Sequence, residues 1–156
     1  MRLRKAMLED CGLVWVWSND RTVRRNSFTK SDGYITWPEH IDWYRGRLCD
    51  IDCQFYIVVD EGDNPIGQTR LQFVGDRAEI SISIAAPWRG CGRGSEAIRL
   101  TSELGVLHGC SCIVANVKGG NSQSLRAFEK AGYVKCDETV IKGQKNVVMM
   151  LDKVNR

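Results

Sequence analysis

The chain has 156 residues, 43% of them hydrophobic and 26% charged, with a formal net charge of +3. This is ordinary globular composition at a length that buries its own core, and residues 1–156 read as a single domain. The mild charge gives no reason to expect nucleic acid; it suits a small anionic ligand held by local arginines. The start, MRLRKAMLED, lacks the apolar stretch of a signal peptide, and no apolar run approaches the ~20 residues of a membrane helix, so the chain reads as cytoplasmic.

In chain order, Arg2 to Ala6 reads as a short strand. Asp10 is placed to cap a helix through Leu13, Val14 and Trp17, and Arg21 to Asn26 adds a basic helical turn. SDGY (31–34) is a loop. Thr36-x-x-Glu39 is a capping-box pattern with Pro38 in the first turn, opening a helix that carries Ile41, Tyr44 and Leu48 on one face. Strands follow over Gln54–Val59, Ile66–Phe73 and Ala78–Ile84, joined by the turn-rich 60–67 and by Gly75-Asp76-Arg77. The third alternates Ile80, Ile82 and Ile84 with Glu79, Ser81 and Ser83. A helix after the glycines at 90, 92 and 94 has apolar positions Ala97, Ile98, Leu100, Leu104 and Leu107 and stops at His108-Gly109. Ser111–Val117 is a strand. A short helix follows with Leu125, Phe128 and Ala131 inward, and strands at Tyr133–Cys136 and Asn146–Leu151 close the chain. The order β-αα-βββ-α-β-α-ββ predicts an α/β (α+β) fold with one mixed, mostly antiparallel sheet flanked by helices. Seven cysteines and two histidines form no CxxC and no zinc spacing; the cysteines read as reduced, small apolar residues, and no metal is expected.

PWRGCGRGSEA (87–97) interrupts the strand-to-helix passage with flexible, basic backbone. A helix N-terminus presents unpaired N–H groups and a partial positive charge, glycines let that backbone approach a phosphate, and arginines add charge. The nucleotide-hydrolase loop requires a Gly-Lys-Ser/Thr that is missing here. The dinucleotide fingerprint fails on glycine spacing and on the absent acidic residue in 111–117. What remains is Arg89-x-x-Gly92-x-Gly94.

That segment resembles the coenzyme A pyrophosphate loop of the GNAT superfamily of N-acetyltransferases, Gln/Arg-x-x-Gly-x-Gly/Ala. Asn121-x-x-Ser124-x-x-x-Phe128-Glu129-Lys130-x-Gly132-Tyr133 is similar to a second segment of that superfamily, and the element order agrees from end to end. The resemblance implies acetyl-CoA as cofactor and a GNAT fold in which strands 78–84 and 111–117 are parallel neighbours that splay apart around the pantetheine arm. Backbone of Ile82, Ser83 and Ile84 would pair with that arm. N–H groups of Arg89, Gly90, Cys91, Gly92, Arg93, Gly94 and Ser95 would hold the pyrophosphate. Asn121 would bond the arm near the thioester, Phe128 would belong to the cofactor site, and Lys130 would lie near the adenosine end. Two plainer readings stand beside these: Asn121 as a helix cap and Lys130 as a solvated charge.

The chemistry implied is direct attack of an amine on the thioester, which needs a base to take a proton from the ammonium. Glu79 is the candidate; its alternative is a solvent-facing strand residue. The family's frequent tyrosine acid is Phe128 here, which cannot donate a proton, so the acid is unassigned, and Tyr133 reads as packing against the sheet. For the acceptor, Trp17-Ser18-Asn19-Asp20-x-x-Val23-Arg24 and Ile35-Thr36-Trp37-x-Glu39-His40-x-x-Trp43 resemble the branch that acetylates nucleotide-linked amino-deoxysugars, as in the pseudaminic-acid pathway. Trp17 and Trp43 would stack on the acceptor, and Arg21 and Arg25, with Arg24 and Lys30, would meet a diphosphate. Core packing of the tryptophans, a solvated basic turn and a structural His40 are the alternatives. Three functions follow: N-acetylation of an amino sugar, N-acetylation of a protein N-terminus or lysine, and non-catalytic CoA binding. A homodimer stays open.

Overall fold

The computed structural model describes residues 1–28 and 33–152, so Lys30 and the Ser31-Asp32 half of the expected loop lie outside the described residues. Its elements are β1 (Arg2–Lys5), α1 (Cys11–Ser18), α2 (Arg21–Asn26), α3 (Trp37–Cys49), β2 (Cys53–Val59), β3 (Pro65–Val74), β4 (Arg77–Ile84), α4 (Arg93–Leu107), β5 (Cys112–Lys118), α5 (Ser122–Lys130), β6 (Val134–Ile141) and β7 (Gln144–Asp152). The expected order holds, with three helices rather than two before β2. The basic turn is a helix of its own because the Asp20 carboxylate accepts from the N–H groups of Thr22 (2.9 Å) and Val23 (3.2 Å).

The strands form one seven-stranded sheet in the order β1-β2-β3-β4-β5-β7-β6, antiparallel everywhere except between β4 and β5. On one face α1 and α3 bury Val14, Trp17 and Tyr44 against Phe55 and Ile57. On the other, α4 and α5 bury Ile98 and Phe128 against Leu71, Ile80, Ile113 and Met149. Each such side chain, fully buried, contributes roughly 1.5–3 kcal/mol. Among the described residues no helix is long and apolar enough to cross a membrane.

Three expectations need correction. Asp10 precedes α1 but makes no side-chain cap there; its carboxylate takes Arg4 with both oxygens (2.7 and 2.8 Å) and the Met7 N–H (2.8 Å), since a charged fork outcompetes a single amide. The buried stripe of α4 is Ala97, Ile98, Thr101, Ser102 and Gly105, while Leu107 is 80% exposed. Small residues let the helix lie close on the sheet: a Cβ at Gly105 would stand 2.8 Å from Ile113 Cδ1. Thr101 and Ser102 are buried without penalty because their hydroxyls donate to the Ala97 and Ile98 carbonyls, each at 2.7 Å. Finally, β6 runs on to Ile141 instead of stopping at Cys136; it is an edge strand with almost all its side chains exposed, so it shows no inward–outward alternation to read.

Candidate active site

Parallel strands β4 and β5 pair only through Arg77–Cys112, Ala78–Ile113 and Glu79–Val114. Beyond that point β5 continues to pair with β7 and β4 with β3, but not with each other, so the sheet splits. A cavity of about 1010 Å³ fills the split, lined by Ser81 to Ile84 on one bank and by Asn116 to Lys118 on the other. The inner edge of β4 at Ile82–Ile84 therefore faces the cavity with backbone groups that have no strand partner. The Ser83 hydroxyl there is buried without a hydrogen bond.

At the end of β4 the chain turns through Ala86–Trp88 into the glycines. Gly90 (φ 78°) and Gly92 (φ 84°) are left-handed, and a Cβ at either would meet nothing within 4 Å. The glycines are thus needed for conformation, not for space. Gly90, Gly92, Gly94 and Ser95 line the cavity with the first turn of α4, a 15-residue helix whose N-terminus points positive partial charge at it. Arg89 lines it too, but is engaged: its Nε donates to the Ile84 carbonyl (2.7 Å) and its Nη2 to Asp20 Oδ1 (3.1 Å). Burial alone would raise the Asp20 carboxyl; the Val23 amide and the Arg89 guanidinium bring it below its ordinary value. Cys91 and Arg93 are outside the lining. The Cys91 thiol donates to the Trp88 carbonyl, and both outer nitrogens of Arg93 grip Glu61 (2.9 and 3.0 Å).

Asn121, Phe128 and Lys130 also line the cavity, from α5 and its start. Asn121 does cap the helix, accepting from the Ser124 N–H at 3.2 Å. Tyr133 is turned into the core, edge-on to Phe128 and with its hydroxyl 2.8 Å from Ser102 Oγ. Glu79 is exposed and lines the cavity on the face shared with Ser81 and Ser83.

The opposite wall belongs to α1–α3 and β3. Trp43 lines the cavity; Trp17 is 8% exposed and sits in the core beneath. Much of the tryptophan-rich motif is scaffold. Asn19 clasps Ile35 through both its amide atoms (2.8 and 3.0 Å), Trp15 Nε1 donates to the Ile35 carbonyl, and Asp20 holds α2 and Arg89. His40 is buried, its Nε2 donating to the Cys11 carbonyl at 2.9 Å, and burial lowers its pKa, so it stands neutral. Arg21 and Arg25 line an adjoining basic hollow of about 590 Å³ with Arg24 and Lys118, and no carboxylate among the described residues lines it.

Sequence reasoning missed Arg70, Arg47, Asn116, Lys118 and Arg126, all of which line the main cavity. For Arg70 a signal was available: Gln68, Arg70 and Gln72 alternate along β3, placing an arginine on a face shared with Ser81 and Glu79. Arg47 donates to Gln72 (2.6 Å) and lies 3.8 Å from Asp50. Arg70 has its guanidinium 5.1 Å above the Trp43 ring and 5.9 Å from Phe55, and donates only to Ser81 Oγ, at 3.3 Å.

Residues 1–134 match the family model for the acetyltransferase (GNAT) domain. The chain is 29% identical over 143 residues to the Bacillus subtilis (strain 168) protein "Putative phosphinothricin acetyltransferase YwnH", covering 85% of this chain and 83% of that one. Its fold is similar to the spermidine N-acetyltransferase of Vibrio cholerae solved with CoA and spermine: TM-score 0.86, 21% identity, 98% of this chain and 95% of that one covered. It is equally similar to AAC(6')-Ib solved with ribostamycin and coenzyme A: TM-score 0.86, 18% identity, 97% and 93% covered.

Proposed function

The chain belongs to the GNAT acetyltransferases and is an acetyl-CoA-dependent N-acetyltransferase, and from that premise we propose that its acceptor is the primary amine of an anionic small molecule, a nucleotide-linked amino-deoxysugar. One domain over 1–156, acting in the cytoplasm, carries the activity. The observation behind the acceptor is the charge of the wall facing it. Arg24, Arg47, Arg70 and Lys118 line that side against Glu39 and Glu79, and Glu39 already accepts from the Thr36 hydroxyl and N–H. Such a wall repels a polycation and attracts phosphate. The second basic hollow, holding Arg21 and Arg25, continues it through the shared Arg24 and Lys118.

The cofactor fits the split sheet on three features of this chain: the β4 edge without a strand partner, the buried and unpartnered Ser83 hydroxyl, and the two left-handed glycines with open space above them. Bound there, acetyl-CoA supplies an acyl thioester. Backbone of Ile82–Ile84 holds its arm in register as an added strand would, and the N–H groups of Gly90, Gly92, Gly94 and Ser95 at the α4 N-terminus hold the pyrophosphate. Lys130 and Arg126 add charge beside them. Asn121, already a cap, keeps its side-chain N–H₂ for the arm. A carboxylate oxygen of Glu79 takes the proton that frees the amine's lone pair, directly or through one water. Trp43 presents a ring face to the sugar.

A second reading has support of its own. The similarity to a protein named for phosphinothricin acetylation favours an amino-acid-type amine, which is also anionic. Free-thiol release from acetyl-CoA decides among the acceptors. A nucleotide-linked amino-deoxysugar should give the highest kcat/KM, and spermidine and a lysine peptide the lowest. A polyamine or peptide turned over faster than any anionic amine overturns the proposal, and CoA binding without acceleration by any amine leaves a binding module.

A further inference from the structure

Arg70 has the surroundings of a ligand-reading group without the ligand's partner in the protein. It lies on β3 directly opposite Ser81 of β4 and Phe55 of β2, at the floor of the acceptor side of the cavity. A guanidinium carries five N–H donors and remains charged. Among the described residues only one is used, in a long bond to Ser81 Oγ at 3.3 Å. The guanidinium carbon lies over the rings of Trp43 and Phe55, which attract its charge but leave its N–H groups without a lone-pair acceptor. Among the described residues no carboxylate stands within ion-pair distance of it. Other arginines of the cavity are occupied: Arg24 by the Ser18 carbonyl, Arg47 by Gln72 and Asp50, and Arg89 by Asp20 and the Ile84 carbonyl. Burial and the neighbouring Arg47 disfavour the Arg70 charge and outweigh the opposing fields of Cys53 and Glu79, so its pKa lies below the ordinary value.

Resting on the reading of this cavity as an N-acetyltransferase site, we infer that Arg70 is a specificity-determining residue whose guanidinium fork receives an oxyanion of the amine-bearing acceptor, a phosphate or a carboxylate. Trp43 and Phe55 cover the guanidinium, and its unused N–H donors suit an acceptor that offers two oxygens at once. A neutral amine lacks the group that the fork reads, and a polyamine meets its charge. The same residue thus selects for one acceptor class and against another.

The test uses Arg70→Met, which keeps the stem and its packing, and Arg70→Lys, which keeps charge without the fork. Three amines serve as probes: a nucleoside-diphosphate-linked amino-deoxysugar, phosphinothricin, and glucosamine, whose only ionic group is its amine. In Arg70→Met, KM for the anionic probe that the wild type uses best should rise roughly 10–100-fold. CoA affinity by calorimetry should stay within about twofold, and any loss on glucosamine should be far smaller than that on the anionic probe. Arg70→Lys should recover only part of the loss, and it becomes the variant to read should Arg70→Met not fold. Loss confined to the nucleotide-linked probe identifies phosphate as the group read; loss confined to phosphinothricin, which carries both a carboxylate and a phosphinate, assigns the fork to an amino-acid-type acceptor. Unaltered KM for both anionic probes, or an equal loss on glucosamine, overturns the inference. No acetylation of any probe by the wild type would instead defeat the acceptor reading on which it rests.

Discussion

On one wall of the cleft, what faces the cavity is largely backbone: the unpaired edge of β4 at Ile82–Ile84 and the turn through Gly90 and Gly92 into α4. On the other it is side chains brought from separate elements, Trp43 and Arg47 from α3, Arg70 from β3, Arg24 from α2. A backbone site is written in local conformational needs. Left-handed φ calls for glycine, and a helix start follows at fixed distance. A side-chain site depends on which residues tertiary packing brings together, and one chain can exchange them while keeping its fold. That difference explains how fold neighbours at 21% and 18% identity share CoA in their complexes while differing in the amine. The walls are not independent, because Asp20 caps α2 on the acceptor side and pairs with Arg89 of the glycine turn.

The sharpest way to break the contrast is at Gly92. Gly92→Asp should abolish CoA binding measured by calorimetry, a loss above about 100-fold, since it strains a left-handed residue and sets a carboxylate against a pyrophosphate. Gly92→Ala separates the two causes. Its Cβ has open space, so only conformational strain of roughly 1–2 kcal/mol remains, about a tenfold loss. If both variants bind CoA as the wild type does, the backbone cradle is wrongly placed.

Glu79 sits on β4 before the split and tests whether chemistry can be separated from cofactor binding. Glu79→Gln should lower kcat by roughly 10²–10⁴-fold, the usual worth of a general base, with CoA affinity unchanged. Full activity in thiol-release assays would return Glu79 to the role of a solvent-facing strand residue.

How much of this was legible in the sequence follows the same line. Strand β4, the glycine turn and the α5 start could be read because each is a local pattern: alternation in 78–84, glycines at 90, 92 and 94, Asn121 before a helix; the split in the sheet came only from the resemblance to the GNAT superfamily. The buried stripe of α4 could be read only at Ala97 and Ile98: Thr101, Ser102 and Gly105 count as buried contacts only once a sheet lies beneath them, and Leu107 is exposed. Trp17 and Trp43 look alike as sequence, yet one is core and one lines the cavity, because α1 and α3 present different faces. Arg70 was overlooked because a lone arginine in a strand reads as a solvated side chain until Trp43 and Phe55 arrive from elsewhere to cover it.

On the acceptor side alone, the double variant Arg21→Ala, Arg25→Ala should raise KM for a nucleotide-linked acceptor about tenfold and leave CoA affinity unchanged. Added salt should weaken the wild-type acceptor KM more than that of the variant, because exposed charges are screened. Equal salt dependence in the two proteins would show that the basic hollow is only a solvated face.

The smallest effect concerns how the acceptor wall is fastened to the sheet. Asp10 joins Arg4 of β1 to the turn before α1, and the Tyr44 hydroxyl of α3 donates to the Met7 carbonyl of the same turn at 2.7 Å. The Arg4 hydrogen bonds, against the opposing cost of burial, hold the Asp10 carboxyl below its ordinary value of 3.8. A lowered carboxyl pKa means stability present above the unfolded value and lost as pH falls through the folded one. Asp10→Asn should therefore cost about 2 kcal/mol at pH 7, because it leaves Arg4 without its charge partner. In a chain of this length that lowers Tm by roughly 4–8 °C. The gap between wild type and variant should close as the pH is lowered through that range, where the wild-type carboxyl is itself protonated. CoA affinity should not change at pH 7, since none of these contacts reaches β4 or the glycine turn. A thermal-shift gap that persists undiminished in acid would mean that shape, not charge, holds α1 and α3 to the sheet.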